Sequence, residues 1–282
     1  MTKKQNKFCD LHIHSSFSDS DATIETIYLK AKEKGLCCIS VTDHDTLDAA
    51  GGARLLSARY GIEYIEGIEL SAQKDNSEVH VLGYFVDVKN RALQEAIAQM
   101  RKLRMERIAA MAEKLNALGL KVDKDEILKE TCGCVPTRLH LGAHLVKKGI
   151  VKSYNEAFDK YLGVGRPAYV SRFKFSVGEA VSLIRAASGL SFLAHPHLLT
   201  NQAWVEEIAR AGIDGLEVNY LLLPDAKKYM YDDIIKRYGL LKSGGSDAHG
   251  SFKKHTDIGK INVPYEWVQA MKDRLARNAD DR

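Results

Sequence analysis

An alternation of strand and helix signals that stops and then restarts constrains this chain more than any other feature. Over the first 87 residues, short apolar runs alternate with amphipathic stretches. FCDLHIH reads as a strand, TIETIYLKAKEKG as a helix closed by Gly35, and CCISVT as a buried strand. DAAGGARLLSARYG reads as a helix, and IEYIEGIELS and VHVLGYFV as two further strands. Such alternation marks βα units built around a parallel sheet. From Asn90 to Leu118 the period changes. Apolar residues recur at Leu93, Ile97, Met100, Ile108, Met111, Leu115 and Leu118, a 3.6-residue stripe. VPTRLHLGAHLVKKG predicts a second helix, with Pro136 near its start and Gly149 at its end. SYNEAFDKYLG predicts a third, opened by a Ser153–Glu156 capping box. A second capping box, Ser176–Glu179, restores the alternation: helix AVSLIRAASG, strand LSFLAHP, helix AWVEEIARAG, strand DGLEVNY, helix AKKYMYDDIIKRYG and strand LLKSGGSDAH. The expected architecture is one barrel-like α/β core, residues 1–87 with 173–282, interrupted by a helical insertion at 88–172.

The 282 residues suffice for a full core, and 45% hydrophobic with 28% charged residues is an ordinary globular mix. No apolar run approaches the ~20 residues of a membrane span. MTKKQNKFCD has positive charge but not the apolar stretch of a secretory signal. The five cysteines read as reduced thiols, so a cytoplasmic protein is expected. Net charge is +4, unevenly spread: residues 88–172 hold 17 Lys and Arg against 9 Asp and Glu. A basic insertion beside an acidic remainder suits an anion held against a core that holds cations.

His12 and His14 are two apart on a predicted strand, so their side chains share one face. Two imidazoles so placed can share a metal ion, although a hydrogen-bonded core pair has the same spacing. Later strands supply further donors: His44 between Asp43 and Asp45, Glu69, His80, His195, and the pair Asp247 and His249. Loops that follow the strands of a parallel barrel converge on one face, where active sites form. With Asp19 from the Ser-rich loop, the candidate metal ligands are His12, His14, Asp19, His44, Glu69, His80, His195, Asp247 and His249. One zinc or manganese ion takes roughly four to six ligands including water, so this set calls for two or three ions. A carboxylate such as Glu69 can bridge two of them. The imidazole and carboxylate mixture suits Mn²⁺, Zn²⁺ or Fe²⁺.

The segments DLHIHSSFSDS, SVTDHDTLDA, GIELSA, HVLGY, AHPH and GGSDAH, in this order, resemble the PHP (polymerase and histidinol phosphatase) family of metal-dependent phosphoesterases. The resemblance implies a distorted (β/α)₇ barrel with a two- or three-metal centre held by those nine residues. Within the family the chain is most similar to the stand-alone branch with a helical insertion after HVLGY. That branch includes 3′,5′-nucleotide bisphosphate phosphatases and 5′–3′ exoribonucleases. PTRLHLGAHLVKKGIV and YLGVGRPAYV look like its insertion. Ser20 stands where the branch has Gly, and Ile24 where it has Pro, so Asp21 is an alternative to Asp19.

Water between two cations, made acidic enough to lose a proton, is expected to attack phosphorus, and the cations to neutralise the phosphoryl oxygens. Asp247 and His197 are the catalytic candidates, His197 for proton transfer. Arg138, in the first turn of its helix, is the first candidate for a remote phosphate. Arg166, Arg172, Lys174 and His140 are further substrate contacts, and Tyr169, Phe173 and Phe175 could stack a base. The expected activity is hydrolysis of phosphomonoesters, above all the 3′-phosphate of 3′,5′-nucleotide bisphosphates. The alternatives are a 5′–3′ exoribonuclease on short RNA, a histidinol-phosphate phosphatase, and a metal-binding module without catalysis.

Overall fold

The computed structural model describes residues 7–75, 77–131, 134–171, 175–220, 223–252 and 257–280. Seven strands wrap into a nearly closed barrel: β1 (Phe8–Ile13), β2 (Cys38–Val41), β3 (Glu63–Lys74), β4 (Ser77–Tyr84), β5 (Leu190–Leu193), β6 (Gly215–Asn219) and β7 (Leu241–Gly244). They lie in the order β7-β6-β5-β4-β3-β2-β1, with the two-residue β8 (Val263–Pro264) added antiparallel beside β1. Helices α1 (Ile24–Glu33), α2 (Ala50–Tyr60), α7 (Val177–Ala186), α8 (Ala203–Arg210), α9 (Asp225–Tyr238) and α10 (Tyr265–Asp280) belong to this part. Buried apolar residues of β1, β2, α1 and α2, among them Ile13, Ile27, Ile39 and Ala53, fill one side of the core. Val81, Ile184, Leu193 and Leu216 fill another.

β3–β4 and β4–β5 pair antiparallel, whereas the sequence pattern predicts parallel units. The reason is chain length. Only two residues separate Lys74 from Ser77, and a parallel crossover needs about a dozen. This hairpin distorts the barrel, and it also reverses β4. His80 therefore reaches the mouth from the start of its strand, while the donors of the parallel strands reach it from their ends.

Closure between β1 and β7 uses the chain beyond β7. Asp247 N–H donates to the His12 carbonyl at 2.8 Å, and His14 N–H to the Ala248 carbonyl at 2.9 Å. Glycine is required at 245, because a Cβ there would lie 2.4 Å from the His12 nitrogen.

The intervening chain forms α3 (Arg91–Ala117), α4 (Lys124–Glu130), α5 (Arg138–Lys147) and α6 (Tyr154–Ala157), the last running into a π turn at Phe158–Leu162. α4 carries no apolar stripe of its own and went unpredicted. These helices bury their own cluster, including Ile108, Met111, Leu115, Leu141, Leu145 and Leu162. The capping box at Ser176 forms in full. At Ser153 only half of it forms, because Glu156 turns to the Lys152 N–H instead.

Candidate metal centre

The mouth of the barrel gathers the nine predicted donors. Among the described residues, three sets each bring one ligand atom per residue within 4.8 Å of the others: His14, Asp19, His44 and His249; His12, His14 and Asp247; and His44, Glu69 and His80. His195 joins through its Nε2, 3.1 Å from Glu69 Oε1 and 3.2 Å from His80 Nδ1. Asp19 is buried and lies 3.4 Å from both His14 Nδ1 and His249 Nε2. Asp21 is committed elsewhere, to the N–H and hydroxyl of Ser251 at 2.8 and 2.6 Å.

These contacts have the shape of a cation cradle. His12 Nε2 and His14 Nε2 lie 3.2 Å apart. Asp247 Oδ1 is 3.5 and 3.2 Å from them, and Glu69 Oε2 is 3.6 and 3.3 Å from them. Four donors at about 2.1 Å from one tetrahedral ion are separated from each other by about 3.4 Å. Glu69 Oε2 and His44 Nδ1 sit 2.9 Å apart, yet neither is aligned into a hydrogen bond. Buried polar atoms that face a common point instead of a partner fit an ion between them. The residues present thus fit divalent cations.

Charge is heavily concentrated here. Burial pushes the His12 imidazolium down, but Glu217, Glu69 and Asp247 outweigh it and hold His12 well above the ordinary range. Burial likewise opposes the charged forms of His14 and His80, yet the carboxylates around them raise each to about 9. Burial dominates at His44, which falls to about 4. For Glu69, burial is outweighed by His44, His80 and His12, which hold its carboxyl well below the usual range.

Strained backbone and buried acids fix the donors. His195 and Asp247 adopt φ of 28° and 51°, conformations rare outside glycine that persist only where the surroundings impose them. Glu217 on β6 accepts from the His195 N–H at 2.6 Å and meets His12 Nδ1 at 2.9 Å. Asp43 accepts from the Ser15 N–H and from the hydroxyls of Ser15 and Ser18, at 2.5–2.7 Å. Asp10 accepts from the N–H groups of Ser246 and Gly259, both at 2.9 Å. Burial raises the carboxyls of Asp10 and Asp43, hydrogen bonds notwithstanding. The Tyr220 hydroxyl donates to Asp247 Oδ2 at 2.8 Å. Sequence reasoning passed over these supports, although an acid inside an apolar strand, such as Glu217 in DGLEVNY, was a readable signal.

The remaining predicted site residues lie at graded distances from the centre. His197 is in the turn after β5, its ring centroid 4.5 Å from that of Tyr220 and its Nδ1 buried without a hydrogen bond. Arg138 opens α5 and reaches Glu78, which also contacts His80. His140 is spent on the cap of α5, accepting from the Thr137 N–H at 3.1 Å, with Nε2 3.6 Å from the Cys134 thiol. His144 pairs with Glu130 at 2.9 Å. Arg166 is exposed in a turn after the π segment. Arg172, Phe173 and Lys174 lie outside the described residues. The structure adds Arg104 and Arg107 of α3, both nearly buried. Arg104 Nε pairs with Asp45 at 2.6 Å, and its Nη2 donates to the Ser71 hydroxyl at 2.8 Å, tying the insertion to the residue after His44.

A buried cluster of nitrogen and oxygen donors at the mouth of an α/β barrel defines a candidate metal-dependent enzyme site. Residues 10–275 match the PHP domain. The chain belongs to that family and is a metal-dependent phosphoesterase. It is 30% identical over 262 residues to a 3′,5′-nucleoside bisphosphate phosphatase of Chromobacterium violaceum, covering 89% of this chain and 90% of that protein. It is 29% identical over 255 residues to a 5′-3′ exoribonuclease of Haemophilus influenzae, with 88% and 91% covered. A solved structure from Bifidobacterium adolescentis, assigned as a metal-dependent phosphoesterase, superposes with a TM-score of 0.88 at 25% identity, covering 96% of this chain and 98% of that one.

Proposed function

We propose that this protein removes the 3′-phosphate from 3′,5′-nucleotide bisphosphates. In this reading His12, His14, Asp19, His44, Glu69, His80, His195, Asp247 and His249 hold two or three divalent ions, with Mn²⁺, Zn²⁺ and Fe²⁺ all compatible with the donor set. Such ions supply an acidified water and positive charge for the phosphoryl oxygens. The protein's own part is alignment. The two oxygens of Glu69 face different imidazoles, so one carboxylate can serve neighbouring cations and offset their repulsion. Glu217 and Tyr220 hold His12 and Asp247 in line. Burial and the nearby His195 keep His197 at about 4, so at neutral pH it is uncharged and poorly matched to delivering or accepting a proton, which leaves it a contact for the substrate or its water.

One observation carries the choice of substrate: Arg138 reaches the centre through a single intermediary, the Glu78 carboxylate that also contacts His80. A guanidinium so near suits a second phosphate on the same small molecule. Residues 88–172 would then act as a substrate-binding subdomain. The bisphosphatase relative supports this reading, and the exoribonuclease relative supports the alternative, the same centre acting on short RNA. A cytoplasmic location belongs to the same proposal: the four described cysteines are unbridged, and among the described residues no helix is long and apolar enough to cross a membrane.

Phosphate release from adenosine 3′,5′-bisphosphate, 3′-AMP, 5′-AMP, histidinol phosphate and 5′-phosphorylated short RNA tests it. The bisphosphate should exceed the monophosphates in kcat/KM by roughly tenfold or more, the worth of a charge-assisted contact. Arg138→Met should erase that margin. Turnover confined to RNA would overturn the proposal.

A further inference from the structure

Glu78 stands two residues before His80 on β4, so both side chains rise from one face of the strand. Its Oε1 lies 2.6 Å from His80 Nε2, and its Oε2 lies 3.2 Å from Arg138 Nη2. His80 turns its other nitrogen, Nδ1, toward Glu69 at 2.9 Å. A carboxylate against Nε2 keeps the proton on that nitrogen and leaves the Nδ1 lone pair for a cation. Arg138 is held by its faces as well, with its guanidinium 5.5 Å from the Phe158 ring centroid and 5.9 Å from that of Tyr169. Both side chains are mostly shielded, Glu78 25% and Arg138 18% exposed, so their charges meet with limited screening.

One carboxylate therefore serves two masters of opposite purpose: a donor of the metal centre and the cation assigned to the remote phosphate. A carboxylate and a phosphate offer the same oxyanion to a guanidinium fork. We infer that Glu78 occupies Arg138 until the second phosphate of a substrate takes the guanidinium, and that it then bonds His80 alone. Glu78 is thus a positioning residue that joins recognition of the second phosphate to alignment of His80. It weakens binding and aids turnover, a combination a purely structural residue does not produce. The inference rests on the reading of Arg138 as the remote-phosphate site.

Calorimetry with chelator-dialysed protein and adenosine 3′,5′-bisphosphate separates the two. Glu78→Gln should bind the ligand roughly fivefold tighter than the unaltered protein, the order expected of a partly shielded ion pair removed. Arg138→Met should bind it roughly tenfold weaker, and the double variant should match Arg138→Met alone. Glu78→Asp, which keeps the charge, should show no tightening. With metal restored, Glu78→Gln should lose roughly 10- to 100-fold in kcat, as for other partners of metal-ligating histidines, while KM for the bisphosphate falls. If Arg138→Met leaves binding unchanged, the remote-phosphate reading fails and takes this inference with it. If Arg138→Met weakens binding but Glu78→Gln does not tighten it, the inference alone fails. A crystal of the unaltered protein with the ligand provides a check free of variants. The Glu78–Arg138 contact should open while Glu78–His80 persists, and a phosphate on Arg138 with the Glu78 contact intact would overturn the inference.

Discussion

At the barrel mouth, donors from β1, β3, β4 and the loops after β2, β5 and β7 are buried or nearly so and are braced by buried acids. Glu217 braces His12 and His195, Asp43 braces the Ser15–Ser18 loop, and Asp10 braces the loop leading to Asp247. On the insertion, cations are held more loosely: Arg138 by two rings and one shared carboxylate, Arg166 in an exposed turn. The contrast separates two demands. A donor set suited to metal ions needs each ligand atom fixed in place, and the mouth carries strained backbone at His195 and Asp247. Holding a remote phosphate, the role proposed for Arg138, needs only a cation within reach.

The sharpest way to break that contrast is at its centre. Glu69→Gln removes the one carboxylate that faces His12, His14, His44, His80 and His195 together. Ions that supply several kcal/mol of transition-state stabilisation make their loss worth roughly a thousandfold or more in rate. Both kcat/KM and metal per chain, measured by elemental analysis, should collapse while the circular dichroism of the fold persists. A Glu69→Gln protein that keeps its metal and its rate would show that the mouth is not the catalytic centre.

The two regions are not independent everywhere, and Arg104 is where they join. Its partner Asp45 adopts a φ of 50° and also accepts from the Ser71 N–H at 2.7 Å. Both members of the pair are buried. Arg104→Met leaves Asp45 as an uncompensated buried charge, which costs about 3–5 kcal/mol. Urea unfolding should register that loss, and adding Asp45→Asn should recover most of it. A loss below 1 kcal/mol would mean that the insertion and the mouth are only loosely joined. A smaller effect is expected of Glu217→Gln, which keeps the shape and removes the charge that orients His12. Metal affinity should fall roughly 10- to 100-fold with unfolding otherwise unchanged, as followed by metal titration. An unchanged affinity would remove Glu217 from the bracing of the mouth.

Most of the mouth was legible in the sequence because strand periodicity and donor chemistry act locally. His12 and His14 share a face by spacing alone, and the donors of the parallel strands arrive at one end by topology. The antiparallel β4 was less legible: the two-residue link before Ser77 announces a hairpin, yet VHVLGYFV has the apolar pattern of a parallel strand. Bracing residues were legible only in part. Asp10, Asp43 and Glu217 stand out as acids in apolar runs, but their partners are up to 249 residues away along the chain. Arg104 shows the limit most plainly. It stands four residues from both Met100 and Ile108, so the apolar stripe of α3 already places it on the inward face, but nothing local names Asp45 as its partner. Long-range pairing of this kind is decided by packing, which spacing does not encode.

The insertion's own electrostatics provide the mildest test of the contrast. Glu130 at the end of α4 meets His144 Nδ1 at 2.9 Å and Lys147 Nζ at 2.5 Å, joining α4 to α5. Burial alone would raise its carboxyl, but Lys147 and His144 outweigh it and hold it below the usual range. A carboxyl lowered by folding contributes stability above its unfolded value of about 4.3. That contribution is lost as pH falls through the lower folded value, because protonation then releases both partners. Glu130→Gln should therefore cost about 1 kcal/mol or less at pH 7, since the pair is partly screened by solvent. The gap from the unaltered protein should narrow as pH drops below 4. Urea midpoints of chelated protein at pH 7 and pH 3 measure it free of metal effects. A gap that widens on acidification would reverse the sign assigned to Glu130, and the insertion would then rest on buried apolar contacts such as Ile127 and Leu145 rather than on its charges.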